Sequence, residues 1–321
     1  MADQILDGLR AAAEPTRLRI LALCARADLT VSDLVRILGQ SQPRLSRHLK
    51  LMTEAGLLAR HREGQWTYHR LGDSGPGGRV ARTVIELHAD GTTNHAADLA
   101  RLGAIRAERR DAAAAYFSAN ARNWDRVRAL HIDEAKVERA LVELTADLNL
   151  HRLLDIGTGT GRVLQLFSPR VGEAVGIDIN RDMLRMARDN LERGGFRNCH
   201  VRQGDMDRLP WPDGAFDGAV LHQVLHYAER PEATIAEAAR VLQPNGNLLI
   251  ADFAPHALEE LRADHAHRWL GFSDDAIAAW CKAVGLAVKK SQLLRGCPLT
   301  VSIWRAKRCA PNQPAKRRKA A

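Results

Sequence analysis

Two features are scarce in this chain of 321 residues: cysteine, and any long uncharged hydrophobic run. The five cysteines, Cys24, Cys199, Cys281, Cys297 and Cys309, are scattered. None forms a C-x-x-C pair, so neither a zinc ribbon nor a disulfide framework is indicated. That usage fits a reducing cytoplasm. No apolar run approaches the roughly 18–20 residues a bilayer crossing requires, so no membrane span or membrane partner is expected. The opening MADQILDGLRAAAEPTR does not read as a signal peptide. A cytoplasmic location is the expectation.

What is present is ordinary globular composition, 45% hydrophobic and 26% charged, which excludes a disordered chain. The length predicts about two domains. The net charge of +9 favours a polyanionic partner. Much of that excess lies in Lys307, Arg308, Lys316, Arg317, Arg318 and Lys319. With Pro311 and Pro314 nearby, residues 307–321 read as a basic disordered tail.

The stretch LLDIGTGTG, Leu153 to Gly161, organises the second half. Leu153 and Leu154 read as the end of a buried strand, and Asp155 sits where it stops. Gly157, Gly159 and Gly161 then make a tight turn into a helix that begins near Arg162. The dinucleotide fingerprint G-x-G-x-x-G would need a glycine at 162, which is arginine. An acid before the first glycine would repel a pyrophosphate and suits a cationic ligand. VGIDI (175–179) predicts a second strand ending in Asp178, placed to take two ribose hydroxyls, with Ile179 beside it. GDMDRLP (204–210) follows a third strand around 200–202. There Asp205 is placed to accept from an adenine amino group, with Met206 next to it.

This combination resembles the small-molecule branch of the class I methyltransferases that use S-adenosylmethionine (SAM), over residues 110–306. FDGAVLHQVLHY and RVLQPNGNLLIADF match that family's fourth strand and its later helix–turn–strand. The resemblance implies an α/β Rossmann-like sheet that binds SAM or S-adenosylhomocysteine (SAH). It also implies a leading segment folded over the pocket, for which Tyr116, Phe117 and Trp124 are candidates. Each of the three could equally be a packing aromatic. His222, Gln223, His226 and Tyr227 follow the fourth strand, at the edge where open α/β sheets bind ligands. His222 reads as a cofactor contact. His222 and His226 are also the candidates for a catalytic base, which a methyl transfer needs only if the acceptor must lose a proton. In residues 251–280, His256, Glu260, His265 and His267 read either as an acceptor-site lining or as a solvated helix face. The pair at 265 and 267 would diverge on a helix, which argues against a metal there.

The first 71 residues read as helices closed by a hairpin. Leu45, Leu49 and Met52 recur at helical spacing in the segment 42–55, with Ser41 as its cap and Pro43 in its first turn. Pro43, Ser46, Arg47 and Lys50 fall on the opposite face, and the run also carries Gln42, Arg44 and His48. An apolar back with a small, hydroxylic and basic front suits a major groove. AGLLARHREGQWTYHRL reads as strand, turn at Glu63-Gly64, strand: a wing with Arg60, His61 and Arg62 near its tip, placed to reach phosphates or the minor groove.

PTRLRIL (15–21), SQPRLSRHLKLMTEAGLL (41–58) and REGQWTYHRL (62–71) together resemble the winged helix-turn-helix of the ArsR family. That implies an α+β module binding double-stranded operator DNA as a homodimer, with Ile5, Leu6, Leu9, Val80, Val84, Ile85 and Leu87 as dimer surface. The arsenic-sensing members carry Cys-Val-Cys where this chain has Thr30, Val31 and Ser32. Hydroxyls are poor ligands for a thiophilic ion. His88, Asp90, His95 and Asp98 do not match the spacing of the zinc-sensing members either, so no metal is expected.

The expected organisation is a winged helix-turn-helix domain over 1–71 and a glycine-rich linker with a helical connector over 72–115. A SAM-binding domain over 116–306 and the tail follow. The layout resembles methionine-cycle regulators that respond to SAM or SAH. It implies a repressor-type regulator that senses the ligand. The alternative is an active small-molecule methyltransferase with a fused autoregulatory reader. Methylation of DNA is disfavoured, since the chain has no D/N-P-P-Y/F signature and no Pro-Cys nucleophile.

Overall fold

The computed structural model describes residues 2–63, 66–72, 75–88, 93–124 and 133–309. The chain divides into two compact units, Met1–Ala112 and Ala113–Ala321.

The first unit contains helices α1 (Ala2–Ala12), α2 (Pro15–Cys24), α3 (Val31–Leu38) and α4 (Gln42–Glu54). Strands β1 (Leu29–Thr30), β2 (Leu58–Glu63) and β3 (Trp66–Leu71) form its small sheet in the order β1-β3-β2. Helices α5 (Gly75–His88) and the first part of α6 (Thr93–Asn120) complete it. Local chemistry explains the boundaries. Pro15 opens α2, one residue before Thr16, and Glu14 caps it by accepting from the Arg17 amide at 2.9 Å. Thr30 and Asp33 form a reciprocal capping box on α3, and Gly39 ends that helix in the left-handed region. Ser41 occupies the capping position of α4 without a side-chain cap bond; Pro43 alone marks that start.

The core gathers Ile20, Leu21, Leu34, Ile37, Leu45, Leu49 and Met52 with Leu102 and Ile105. Helix α5 begins at Gly75, inside the glycine-rich stretch expected as a linker. A Cβ on Gly77 would lie 2.3 Å from the Ala55 carbonyl oxygen, so the glycine is there to let α5 approach the end of α4.

Asp98, 1% exposed, takes two hydrogen bonds from Arg19 at 2.6 and 2.7 Å and a longer one from Arg101 at 3.4 Å. Removing one partner of a buried pair leaves an uncompensated charge. Arg19→Ala is therefore expected to destabilise this unit by about 3 kcal/mol, the low end of that range because Arg101 remains. Urea denaturation checks it, as a lower midpoint at unchanged slope.

The second unit contains the end of α6, α7 (Glu134–Leu144), α8 (Arg162–Phe167), α9 (Arg181–Gly194), α10 (Pro231–Val241), α11 (Glu260–Asp264) and α12 (Asp274–Ala283). Its strands are β4 (Leu150–Ile156), β5 (Val171–Asp178), β6 (Cys199–Gln203), β7 (Phe216–His222), β8 (Leu242–Phe253), β9 (Leu286–Leu294) and β10 (Val301–Arg308). They form one seven-stranded sheet in the order β6-β5-β4-β7-β8-β10-β9. The pairings are parallel from β6 to β8, and β10 is antiparallel to both its neighbours.

Helices cover both faces, which is why the central strands are continuous apolar runs. Leu154 and Ile156 pack with Phe216, Ile235 and Trp304 in one core, while Leu153 packs with Val137, Leu164 and Phe167 in the other. Lys307 and Arg308, expected in the tail, are strand residues. Backbone pairing sets Lys307 opposite Asn247 and Ala287, and Arg308 opposite Leu286. Residues 310–321 lie outside the described part.

Candidate functional site

The strand order reverses at β4 and β7. Connections leave these two neighbours in opposite directions, opening a crevice at their carboxyl ends. The chain leaves β4 through Gly157, Gly159 and Gly161, all at positive φ (74°, 52° and 82°), with Gly161 as the left-handed cap of α8. A Cβ on Gly157 would lie 2.2 Å from Val224 Cγ2, so only glycine lets the loop after β7 settle against this one. A Cβ on Gly159 would lie 3.5 Å from Trp124 Nε1, which puts the indole over the glycine loop.

Asp155 is 1% exposed, and Thr158 Oγ1 donates to its carboxylate at 2.6 Å. The acid that ends β4 thus braces the loop from beneath. Asp178 ends β5. Its two oxygens accept from the amides of Gly159 at 2.9 Å and Asn180 at 2.8 Å. Burial pushes the Asp178 carboxyl above its ordinary range, and the backbone donors oppose that shift. Asn180 caps α9, and its amide nitrogen donates to the Ala114 carbonyl at 3.2 Å and to Ser118 Oγ at 3.1 Å. That ties the end of α6, with Tyr116 and Phe117, to the carboxyl end of β5.

Ile179 is exposed beside Asp178. Asp205 is exposed after β6 and accepts from the Asp207 amide at 3.0 Å; Met206 is half-buried against the core. His222 is buried at the end of β7, with Nε2 3.8 Å from Glu134. Gln223 holds a φ of 50° and donates to the other Glu134 oxygen at 2.9 Å. A non-glycine residue in that region stores strain, which clusters at ligand sites.

The histidines divide. His226 Nδ1 lies 2.7 Å from Asp252 Oδ1, both groups being almost fully buried. His267 is buried with its ring 4.2 Å from that of His226, and His265 Nδ1 meets the Tyr116 hydroxyl at 2.8 Å. His256 packs edge-on to Phe253. Glu260 is exposed in the first turn of α11. Residues 265–267 are not helical: α11 ends at Asp264, and Ala266 sits at φ 58°. The left-handed residue between them, not helical periodicity, sets where the two rings point.

Sequence reading missed Asp252 and Glu134. Asp252 had a usable signal, since it stands near the end of a central strand as Asp155 and Asp178 do. Glu134 had none: it enters from the first turn of α7, far away in the chain.

In the first unit, α4 buries Leu45, Leu49 and Met52 and exposes Ser41, Gln42, Pro43, Arg44, Ser46, Arg47 and Lys50. His48 lies apart from that face, with Nδ1 4.0 Å from Glu14 at the start of α2. Burial lowers its pKa, opposed by Glu14. Arg60 is exposed on β2, which pairs with β3 in register from Leu58↔Leu71 to Glu63↔Trp66. The side chains of His61 and Arg62, the turn at Glu63-Gly64 and Asp90 lie outside the described residues. Thr30 and Asp33 are engaged in the capping box, and Arg109 pairs with Asp33 at 2.6 Å.

Residues 14–60 match the family described as "Bacterial regulatory protein, arsR family", and residues 149–298 match "Methyltransferase domain". The chain joins an ArsR-family helix-turn-helix domain to a methyltransferase domain. The latter is similar to "Uncharacterized methyltransferase YcgJ" of Bacillus subtilis, at 36% identity over 33% of this chain and 42% of that one. It is also similar to "Ubiquinone/menaquinone biosynthesis C-methyltransferase UbiE" of Stutzerimonas stutzeri, at 38% identity over 36% of this chain and 47% of that one. The chain thus spans less than half the length of these curated relatives. The crystal structure of YcgJ superimposes with a TM-score of 0.49 at 21% identity, covering 54% of this chain and 98% of that one.

The methyltransferase fold implies a SAM or SAH site, and the residues in the crevice suit one. The glycine loop leaves backbone-close space under Trp124, where side chains would intrude. Asp178 gives the crevice the wrong sign for a phosphate and the right sign for an ammonium, a sulfonium and hydroxyl donors. Among the described residues, no group of three or more His, Cys, Asp or Glu side chains is arranged to hold a metal ion. No described helix is long and apolar enough to cross a membrane.

Proposed function

We propose that this protein is an operator-binding regulator whose methyltransferase domain binds SAM or SAH, and that the bound ligand sets operator affinity. The observation that carries the reading is the presence in one chain of an exposed basic recognition face on α4 and a glycine-loop crevice bordered by Asp178. In this reading Ser41, Gln42, Pro43, Arg44, Ser46, Arg47 and Lys50 face the major groove, and Arg60 reaches the backbone. Asp178 takes the ribose hydroxyls, Gly157, Gly159 and Gly161 let the ligand approach, and Ile179, Asp205 and Met206 border the adenine. His222 and Tyr116 close the crevice.

The protein acts as a homodimer. Ile5, Leu6 and Leu9 leave 38%, 47% and 48% of their surface exposed along α1, and Leu87 on α5 leaves 80%. An apolar stripe of that kind on a soluble surface fits a partner copy. A two-fold pair of α4 helices then reads a palindrome.

A ligand shifts the equilibrium only if it binds the DNA-competent and DNA-free states differently. Coupling is reciprocal and typically about 1–3 kcal/mol, or 5–150-fold. Operator affinity measured at fixed salt without ligand, with SAM and with SAH is expected to differ by a factor in that range. Operator DNA is expected to change ligand affinity by the same factor. Three equal operator affinities would sink the sensor reading. The alternative, an active small-molecule methyltransferase with an autoregulatory reader, is favoured by one observation, the His226–Asp252 pair.

A further inference from the structure

His226 lies in the 3-10 turn Leu225–Tyr227, just beyond β7, and is 1% exposed. Asp252, at 0%, sits near the end of β8. Its carboxylate accepts from the His226 amide at 3.2 Å and from the Phe253 amide at 2.8 Å, and meets His226 Nδ1 at 2.7 Å. Two backbone donors hold the carboxylate, so the remaining contact has one sense: Nδ1 donates and Asp252 accepts. That assigns the tautomer and leaves the lone pair on Nε2. Nε2 is buried and makes no hydrogen bond to any described residue.

A histidine serving only as core would be expected to satisfy both nitrogens, since an unmet buried polar atom costs about 1–3 kcal/mol. This one is instead fixed from three sides. Asp252 orients the ring, and the His226 carbonyl accepts from the Arg268 and Trp269 amides at 2.9 and 3.1 Å. The rings of Tyr227, His267 and Phe253 lie 4.0, 4.2 and 4.9 Å from the imidazole. Val224, two residues earlier, is the side chain against Gly157, so the turn packs directly on the glycine loop. Phe117 joins the cluster at 4.8 Å from Tyr227 and reaches Trp124 at 5.4 Å. A run of flat rings therefore leads from the glycine loop to a buried, oriented base. Flat rings favour a flat guest through stacked and edge-on contacts.

We propose that His226 and Asp252 form a proton-abstracting pair, and that the methyltransferase domain O-methylates a small, planar, uncharged phenol. His226 is the catalytic residue and Asp252 a positioning residue. Nε2 takes the phenolic proton, and the O–H electron pair stays on oxygen. That oxygen attacks the methyl carbon of SAM; the C–O bond forms as the C–S bond breaks, its pair passing to sulfur, so the products are the methyl ether, SAH and an imidazolium beside Asp252. The phenol reaches Nε2 when the ring cover parts, and reclosure shuts water out of the transfer. The inference rests on the reading of the glycine loop as a SAM site, which calorimetry with SAM alone tests separately.

The probe is 2-naphthol, which stays protonated at mildly alkaline pH, with 4-nitrophenol as an acceptor already ionised there. Without SAM, wild-type protein is expected to raise the naphtholate absorption of bound 2-naphthol over that of the free dye, and His226→Gln is expected to abolish the rise. With SAM carrying a labelled methyl group, wild-type protein is expected to form 2-methoxynaphthalene. His226→Gln should lower that rate about 10²–10⁴-fold, and lower 4-nitrophenol methylation about tenfold or less, because that acceptor needs no base. SAM affinity should not change in the variant. Asp252→Asn should fall between the two, and added imidazole should restore turnover to His226→Ala.

Equal losses on both acceptors, or no product from either with the wild-type protein while SAM binds, would overturn the proposal. Should His226→Gln fail to fold, the wild-type naphtholate band decides, and its absence overturns the proposal.

Discussion

Charge reversal at Arg47, Arg47→Glu, is expected to abolish specific operator binding while leaving SAM affinity unchanged. Arg47 stands on the exposed face of α4, opposite Leu45, Leu49 and Met52, which are 0%, 2% and 0% exposed. The helix is anchored by that apolar back, so the substitution leaves its packing intact. An arginine paired with a guanine edge contributes about 1–3 kcal/mol of discrimination. A carboxylate in its place adds repulsion from the phosphates, and the specific complex is lost. Lys50 is already partnered weakly, 3.9 Å from Glu54 across an exposed turn of helix. Such a surface pair is worth under about 1 kcal/mol and yields easily to a phosphate.

The measurement is a gel-shift titration on DNA selected from a random pool by the wild-type protein. Wild-type affinity in the variant would remove α4 as the reader. Wild-type binding is also expected to fall steeply with salt, since each neutralised phosphate releases counterions; six to ten contacts would lose about 10³–10⁵ between 50 and 200 mM.

Asp178→Ala is expected to weaken SAM and SAH binding by about 1.5–3 kcal/mol for each ribose hydroxyl that loses its carboxylate acceptor. The loss has a second source. Asp178 also holds the Gly159 and Asn180 amides, so its removal loosens the glycine loop and the cap of α9. Binding also acquires a pH dependence whose sign follows from the raised pKa. Hydroxyl donors favour the ionised carboxylate, so binding is strong above that pKa and weakens as pH falls through it. The decline therefore begins at higher pH than for an ordinary carboxylate and should be absent in Asp178→Ala. Calorimetry across mildly acidic pH checks both. Unchanged affinity in a folded variant would remove Asp178 from the ligand site.

Several features of this chain were legible without coordinates because they are local. Alternating glycines at 157, 159 and 161 mark a turn that takes positive φ, as all three do here. An acid closing an apolar run, as at Asp155 and Asp178, marks the carboxyl end of a buried strand. The spacing of Leu45, Leu49 and Met52 decides which face of α4 is left for a partner. The same local signals brought out the two domains.

Other features depend on which distant segments meet, and no local pattern encodes that. Gly77, part of the expected linker, lies within α5, and its missing Cβ lets that helix press against the end of α4. His48, spaced like Arg44 on α4, is half-buried beside Glu14, which Arg44 also approaches, because that is where α2 begins. Asp98 showed no role by its spacing, and is held by Arg19 from another helix. His226 offered two equal nitrogens until β8 brought Asp252 to one of them and left the other with a lone pair. Propensity and periodicity act over a few residues, whereas a hydrogen bond between His226 and Asp252 exists only because the parallel sheet sets the ends of β7 and β8 side by side.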